Sequence, residues 1–415
     1  MKIYEHAQRS LLHILDDGLS FQIAINQSLK QEKKKIDRDF KSAISALVGC
    51  SLRHYYVFEK LIKDEYKDIN NSDLSLLMIG LSNKLFAKKI DQEELEDDIE
   101  RAFSLEGAKE FLGKINDPHF LIPESIPVES KTYIHLRYNI PLWITHMWAK
   151  NNGPTLFRRL YYSFKQGNNH LVRINTQKIS PDNFFEKYED YQRVDDEKFA
   201  AISRENLRKN KALDSMDAIN MPCGYAFMCR DLDLDPIRGI AMYAECDNHL
   251  LDELYLLLGS NFRFEYICGD QKTYFAMNDR VKKYGMVNSA LYETKSIITC
   301  ISKPVHTFFV CPKNSNLGLL KEQPDFFLNA KQEDLDLFIK EEERALEEVA
   351  PLVESGGDLI YFIPTICKNE SQTLIHKFLN KHREYRLVEQ KQLFPFDRYK
   401  SFLYYAILRK ENSND

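Results

Sequence analysis

The sequence has no surplus of positive charge, no cysteine pair at metal-binding spacing and no long apolar run, and each absence closes off a class of function. With 57 Lys and Arg against 62 Asp and Glu, the net charge is −5. Proteins that coat nucleic acid are held by neutralised phosphates and are usually basic. Any affinity for nucleic acid must therefore come from local patches. The eight cysteines include no Cys-x-x-Cys pair; the nearest spacings are Cys223 with Cys229 and Cys300 with Cys311. No His-Cys cluster has zinc spacing, so no metal is expected and the thiols should be reduced and mostly buried. No stretch approaches the roughly 18 apolar residues of a membrane span. Met1-Lys2-Ile3-Tyr4-Glu5-His6 opens directly into an amphipathic pattern without an apolar signal segment. These features lead us to expect a soluble, cytoplasmic protein with no membrane partner. Tryptophan is scarce, two residues against 22 Tyr and 26 Phe, and the rings read as core material with some left for stacking.

What is present is a change of rhythm along the chain. At roughly 100–200 residues per domain, 415 residues predict two or three domains. Residues 3–112 follow a helical period: Ile3, Ala7, Leu11, Ile14 and Leu15 share one face, Phe21, Ile25 and Leu29 a second, and Phe40, Ala43, Ile44, Leu47 and Val48 a third behind a capping Asp37. Further helices are predicted at 53–62, 72–88 and 92–103, with no strand. Pro118, Pro123 and Pro127 mark a linker. Two helices return over 138–165, followed by a short strand at 171–175 and a polar, partly helical stretch over 182–217.

Beyond residue 220, short apolar strands are predicted at 239–243, 262–268, 297–300, 307–311, 358–363 and 402–408. Helices fall between them at 250–258, 271–284, 332–353 and 372–381. Such alternation predicts a mostly parallel sheet with helices on both faces. The acidic stretch around Glu341 to Glu348 reads as a solvated helix face.

Several motifs, in order, resemble those of the RsmB/Sun-type 16S rRNA 5-methylcytosine methyltransferases. Asp37-Arg38-Asp39-Phe40, followed by Leu47-Val48-Gly49-Cys50-Ser51-Leu52-Arg53, is similar to the D-R-x-F…L-V-Y-G-T-L-R of the NusB-like domain that opens these proteins. Arg137-Tyr138-Asn139-Ile140-Pro141-Leu142-Trp143 resembles R-Y-S-x-P-x-W, and Val172-Arg173-Ile174-Asn175-Thr176 resembles L-R-[IV]-N-T. Gly318, Pro324-Asp325 and Gly356-Gly357-Asp358-Leu359-Ile360-Tyr361 stand where the family has T-G-x-x-x-x-x-P-D and G-G-x-L-V-Y. The resemblance implies an α + α/β chain. It would comprise a NusB-like helical domain (1–115), a linker (116–135), a small α/β RNA-binding subdomain (136–220) and a Rossmann-like methyltransferase-type domain (221–415).

The chemistry the resemblance implies is not matched by its residues. Cytosine C5 becomes nucleophilic only after a cysteine thiolate adds at C6. The position implied for that cysteine is held by Pro364, with Cys367 three residues further on. The second family cysteine, which serves product release, falls on Lys313 or Asn314, next to Cys311. The family's S-adenosylmethionine loop, D-x-C-A-A-P-G-G-K-T, corresponds to Met242-Tyr243-Ala244-Glu245-Cys246-Asp247-Asn248-His249-Leu250-Leu251, so both glycines become Asn248 and His249. Asp247 and Glu245 add negative charge where a cofactor carboxylate would lie. The ribose-binding acid falls at Cys268, with Asp270 as a possible substitute. The expectation is an RNA-binding relative, with rRNA as partner, that has lost catalysis and takes no cofactor. One alternative is an active S-adenosylmethionine-dependent enzyme using displaced Cys367 or Cys311. Another is a protein-interaction module acting through the NusB-like part.

Candidate RNA contacts are Arg158, Arg159 and Lys165, where cations interleave with Tyr161, Tyr162 and Phe164, followed by Arg173, Asn175 and Lys178. Arg204, Arg208, Lys209 and Lys211 extend this basic run, and Lys30, Lys33, Lys34 and Lys35 form another in the helical part.

Overall fold

The computed structural model describes the chain except residues 1, 31–36, 105, 129, 166–169, 204–205, 207–209, 246–248, 320–324, 326–327, 329, 397–401 and 413–415, and except the side chains of 154, 157 and 161–165. It divides into two units, residues 1–164 with 320–332, and residues 165–319 with 333–415.

The first unit is helical, with no strand among its described residues. Helices α1 (Ile3–Leu15), α2 (Phe21–Leu29), α3 (Arg38–Arg53), α4 (Tyr55–Glu65), α5 (Asn71–Ser82), α6 (Gln92–Ala102) and α7 (Ala108–Lys114) are followed by α8 (Lys131–Tyr138) and α9 (Leu142–Lys165). Each of the first helices buries one stripe, whereas α5 is buried from Asp73 to Ser82 and forms the axis of the core. Short polar side chains set the starts: Asp37, Asn70 and Asp91 accept from the backbone N–H of Phe40, Asp73 and Glu94. Asn139 ends α8 in the left-handed region (φ 55°). Its amide donates to Leu52 O at 2.6 Å and accepts from Tyr56 N at 3.1 Å, pinning the α3–α4 junction. Asp325 returns to this unit, accepting from Phe21 N at the exposed start of α2 (2.7 Å).

The second unit holds two sheets. The smaller is antiparallel in the order β2-β3-β1-β4, with β1 at His170–Ile174, β2 at Gln192–Arg193, β3 at Phe199–Ile202 and β4 at Ala218–Ile219. Helices α10 (Pro181–Lys187) and α11 (Lys211–Asp214) flank it, and Val172, Ile174, Phe184, Ala200 and Ile202 fill its core.

The larger sheet has seven strands among the described residues, ordered β10-β11-β9-β8-β5-β6-β7. These are β5 (Ile240–Ala244), β6 (Phe264–Cys268), β7 (Ser289–Glu293), β8 (Val305–Cys311), β9 (Val353–Ile363), β10 (Tyr385–Leu393) and β11 (Leu403–Lys410). From β9 through β8, β5 and β6 to β7 the pairing is parallel; β11 lies antiparallel against β9 and β10. Strands β5, β6 and β8 are buried throughout and mostly apolar, as parallel strands covered on both faces are, with Glu265 in β6 and His306 and Thr307 in β8 as the exceptions. The connecting helices are α12 (Cys223–Cys229), α13 (Leu250–Leu258), α14 (Gln271–Tyr284), α15 (Leu335–Val349) and α16 (Gln372–Lys381).

Some expectations need correction: residues 182–217, read as polar and partly helical, also carry strands β2 and β3. Residues 297–300 form a turn, not a strand; Ile297 is fully buried, and its N–H is held by Glu348. The acidic helix is not wholly a solvated face, because Glu342 on α15 is completely buried. Its single α-helical run is also shorter than 332–353, since Val353 already begins β9.

A buried ion pair joins the smaller sheet to helix α13. Arg173 on β1 forks onto Glu253 on α13 through Nε and Nη2, both at 3.1 Å, with side chains 2% and 1% exposed. Removing one partner strands the other charge without water. Arg173→Ala should cost about 3–5 kcal/mol of unfolding free energy in urea titration. Arg173→Met with Glu253→Leu should recover most of that loss; a single variant within 1 kcal/mol of wild type would contradict the prediction.

Candidate functional site: the sheet's carboxyl ends

Chain order reverses between β5 and β8, since β6 and β7 continue on one side and β9 on the other. In open α/β sheets the crevice beyond the carboxyl ends at this point is where ligands bind. Glu245 follows β5 at this point. Its N–H donates to Cys311 O (3.1 Å), and its side chain is 5% exposed. Oε1 accepts from the Tyr243 hydroxyl (2.5 Å) and Oε2 from Lys313 N (3.2 Å). Arg344 approaches Oε1 at 3.8 Å and donates to the Tyr243 hydroxyl at 3.2 Å, while Glu341 and Glu348 hold its other nitrogens. Burial, reinforced by Glu245, pushes the Tyr243 phenol well up, so it stays protonated and donates. The Glu245 side chain lies directly against the Cα of Gly269, where any Cβ would collide with its Cγ and carboxylate.

The neighbouring cofactor-type positions are also engaged. Cys268 is buried, and burial together with the Asp270 charge raises its thiol. Asp270 spends both oxygens on Thr273, accepting from its N–H (2.9 Å) and hydroxyl (2.6 Å), and so caps α14. His249 stands at the start of α13 with Nδ1 2.7 Å from Asp252, whose other oxygen accepts from Tyr284 (2.5 Å). Burial would raise the Asp252 carboxyl, but His249 and Arg280 outweigh it and hold it below the usual range. Asp247 and Asn248 lie outside the described residues.

The segments after β8 and β9 form one buried polar knot. Glu370, fully buried, accepts from Ser315 N (2.7 Å), the Ser315 hydroxyl (2.6 Å) and the Thr365 hydroxyl (2.7 Å), and the Tyr361 hydroxyl donates to its carbonyl (2.8 Å). Pro364 is buried and accepts from Gly318 N at 2.7 Å; a Cβ on Gly318 would sit 2.7 Å from the Pro364 carbonyl and from Phe402. Asn314 is 3% exposed and turned onto Pro312 O and Asn316 N, both at 2.9 Å. Lys313 is exposed, its ammonium 5.8 Å from the centre of the Phe338 ring. Of the displaced thiols, Cys311 is fully buried at the end of β8 and Cys367 is 2% exposed. Burial, with the Glu370 charge, pushes Cys367 up to about 12. Nothing in the sequence marks Glu370, Ser315 or Tyr361 as a cluster, because separate segments bring them together.

The basic candidates separate. Arg173, expected among RNA contacts, is instead spent on Glu253 and Lys198 O. Asn175 is likewise fully buried, bonded to Met216 O and Gln177 N. Lys178 is exposed, with its ammonium on Ser215 O. Arg158 and Arg159 are exposed on α9 in the other unit, and the Lys165 side chain lies outside the described residues. Lys33, Lys34 and Lys35, and Arg204, Arg208 and Lys209, also fall outside them. Among the described residues no group of three His, Cys, Asp or Glu side chains could hold a metal, and no helix is long and apolar enough to cross a membrane.

No family profile matches the chain. Over 71 residues it is 31% identical to the probable ribosomal RNA small subunit methyltransferase B of Bacillus subtilis (strain 168), a match covering 17% of this chain and 16% of that protein. The protein of the same description from Synechocystis is 32% identical over 72 residues, with the same shares. The chain thus matches about a sixth of the length of these relatives. The crystal structure of PH0851 superposes over 99% of both chains with a TM-score of 0.75 at 16% identity. NSun6 from Pyrococcus horikoshii gives 0.58 at 10% identity, covering 66% of this chain and 99% of that one. A methyltransferase homologue from the same organism gives 0.57 at 14%, covering 68% and 100%. The matched segment is thus similar to ribosomal RNA small subunit methyltransferase B, and the fold is shared from end to end with PH0851.

Proposed function

We propose that this protein binds RNA, with ribosomal RNA as its partner, and does not methylate it. The observation that carries this reading is the state of the loop after β9: the position implied for the nucleophile is a buried proline packed on Gly318, and the nearest thiol, Cys367, is shut away beside an acid. Burial and the Glu370 charge push the Cys367 thiol up to about 12, so it stays protonated at neutral pH and is a poor nucleophile toward a pyrimidine. Lys313 and Asn314 at the second position offer no sulfur.

The residues at the switch point do not fit S-adenosylmethionine. Its carboxylate would meet Glu245 and its ribose hydroxyls would find Asp270 already committed to Thr273. We therefore read the crevice as closed by the chain itself. The names of the relatives, and the exposed Arg158, Arg159 and Lys178, support RNA as the partner. We read residues 1–115 as a NusB-like domain on the strength of Asp37–Arg53 and its helical fold.

Two experiments test the reading. RNA carrying 5-fluorocytosine should form no covalent complex with the wild-type protein; a complex that disappears in Cys367→Ala or Cys311→Ala would restore the enzyme. Crosslinking and sequencing of bound RNA should enrich rRNA over bulk RNA, and equal recovery of both would remove the RNA reading.

The polar knot predicts an unusual pH response. Burial, then the Glu370 charge, raises Glu342 well above its ordinary 4.5. The folded state thus holds a proton the unfolded chain releases, so this group's contribution to stability falls as pH rises above about 4.5. Glu342→Gln mimics the protonated acid and should flatten that fall. Urea unfolding at pH 5 and pH 8 should show a smaller pH difference in the variant, and an unchanged difference would refute the assignment.

A further inference from the structure

His382 follows helix α16 and has an acid at each nitrogen of its ring. Nε2 lies 2.9 Å from Glu347 Oε2 on α15, and Nδ1 lies 2.9 Å from Glu384 Oε1 just before β10. A neutral imidazole carries one N–H and one lone pair, so it can donate to only one carboxylate. Both contacts hold together only in the imidazolium, with a proton on each nitrogen. Burial would lower the ring, but the hydrogen bonds to Glu384 and Glu347 outweigh it and hold it above its ordinary 6.5. Burial would likewise raise the two carboxyls, yet His382 outweighs it at both, and each stays below its ordinary 4.5.

The seam between the two helices is built around this bridge. Lys377 pairs with Glu343 at 3.3 Å and Lys381 with Glu347 at 3.1 Å, steps of four residues on both helices. A cleft of about 220 Å³ lies between α15 and α16, lined by Leu346, Leu374 and Phe378 among others. Phe378 is buried and stacks on the His382 ring, with centroids 4.4 Å apart. The Tyr385 ring stands edge-on at 6.4 Å, its hydroxyl donating to Ala350 O. Lys410, at the end of β11, adds a positive charge beside Glu384. Among these groups only His382 has an ordinary pKa near neutrality.

We propose that His382 is a proton-controlled clasp: as the imidazolium it closes the seam between α15 and α16, and on losing its proton it releases one of its two glutamates and uncovers Phe378. The released contact sets a ring lone pair against a carboxylate, which repels it. The closed seam binds the proton more tightly than the open one. It is therefore fully held below about 6.5 and is lost as pH rises through the closed-state value. α15 also carries Arg344, so the clasp fastens the same helix that reaches Tyr243 and Glu245.

The test uses the full chain with isotope-labelled histidine, the His382 ring signal being assigned by its loss in His382→Gln. In the wild type the ring should titrate above 6.5. Glu347→Gln and Glu384→Gln should each bring that midpoint down. Hydrogen–deuterium exchange over residues 374–385 is then read at pH 6.0 and pH 8.5, each divided by the intrinsic chemical rate. Opening should increase toward pH 8.5, by up to roughly tenfold for each pH unit by which the midpoint exceeds 6.5. In His382→Gln, which leaves Glu342 untouched, the opening should be the same at both pH values. A wild-type midpoint at or below 6.5, or a pH response that survives in His382→Gln, would overturn the proposal. Should His382→Gln fail to fold, the wild-type midpoint and its response to the two glutamate variants decide it.

Discussion

The carboxylate of Glu245 sits where the sheet's topology opens a crevice, and the surrounding side chains are arranged to keep it there. A buried acid is tolerated only when donors surround it. Tyr243, the Lys313 N–H and Arg344 supply them, and Arg344 is itself aimed by Glu341 and Glu348. The network ties β5 to the segment after β8 and to α15. Gly269 belongs to the same arrangement, because only a residue without a side chain lets β6 end against Glu245.

The loop after β9 follows the same logic with different groups. Glu370 gathers Ser315, Thr365 and Tyr361, and Pro364 closes against Gly318. In this loop the hydroxyls of Ser315, Thr365 and Tyr361 all donate to Glu370. Burial raises the Cys268 and Cys367 thiols, since removing water from sulfur favours the neutral form, and the nearby carboxylates reinforce it.

Much of the scaffold was legible in the sequence. The helices at 250–258, 271–284 and 372–381 were read to the residue because their apolar period is clean. The central strands were legible as short, mostly apolar runs. Strands β7 and β10 were missed for the converse reason: they lie at the sheet's two edges, where half-exposed residues dilute the apolar signal. Residues 297–300 mimic a strand in composition, yet Ile297 is an anchor for a turn. Motif order implies Pro364, and Lys313 or Asn314, as the positions of the family cysteines. The fate of Arg173 could not be read from the sequence, because whether an arginine faces RNA or a buried glutamate depends on a partner 80 residues away. Glu342 was misread for a related reason: composition makes an acidic helix look solvated, and only packing reveals which turn faces inward.

The most direct measurement is isothermal titration of S-adenosylmethionine into the wild-type protein and into Glu245→Gly. The account predicts no saturable heat with the wild type, because the carboxylate and its donors already occupy the crevice. Binding near 1 µM, about 8 kcal/mol of favourable free energy, would contradict it and show that the crevice is open.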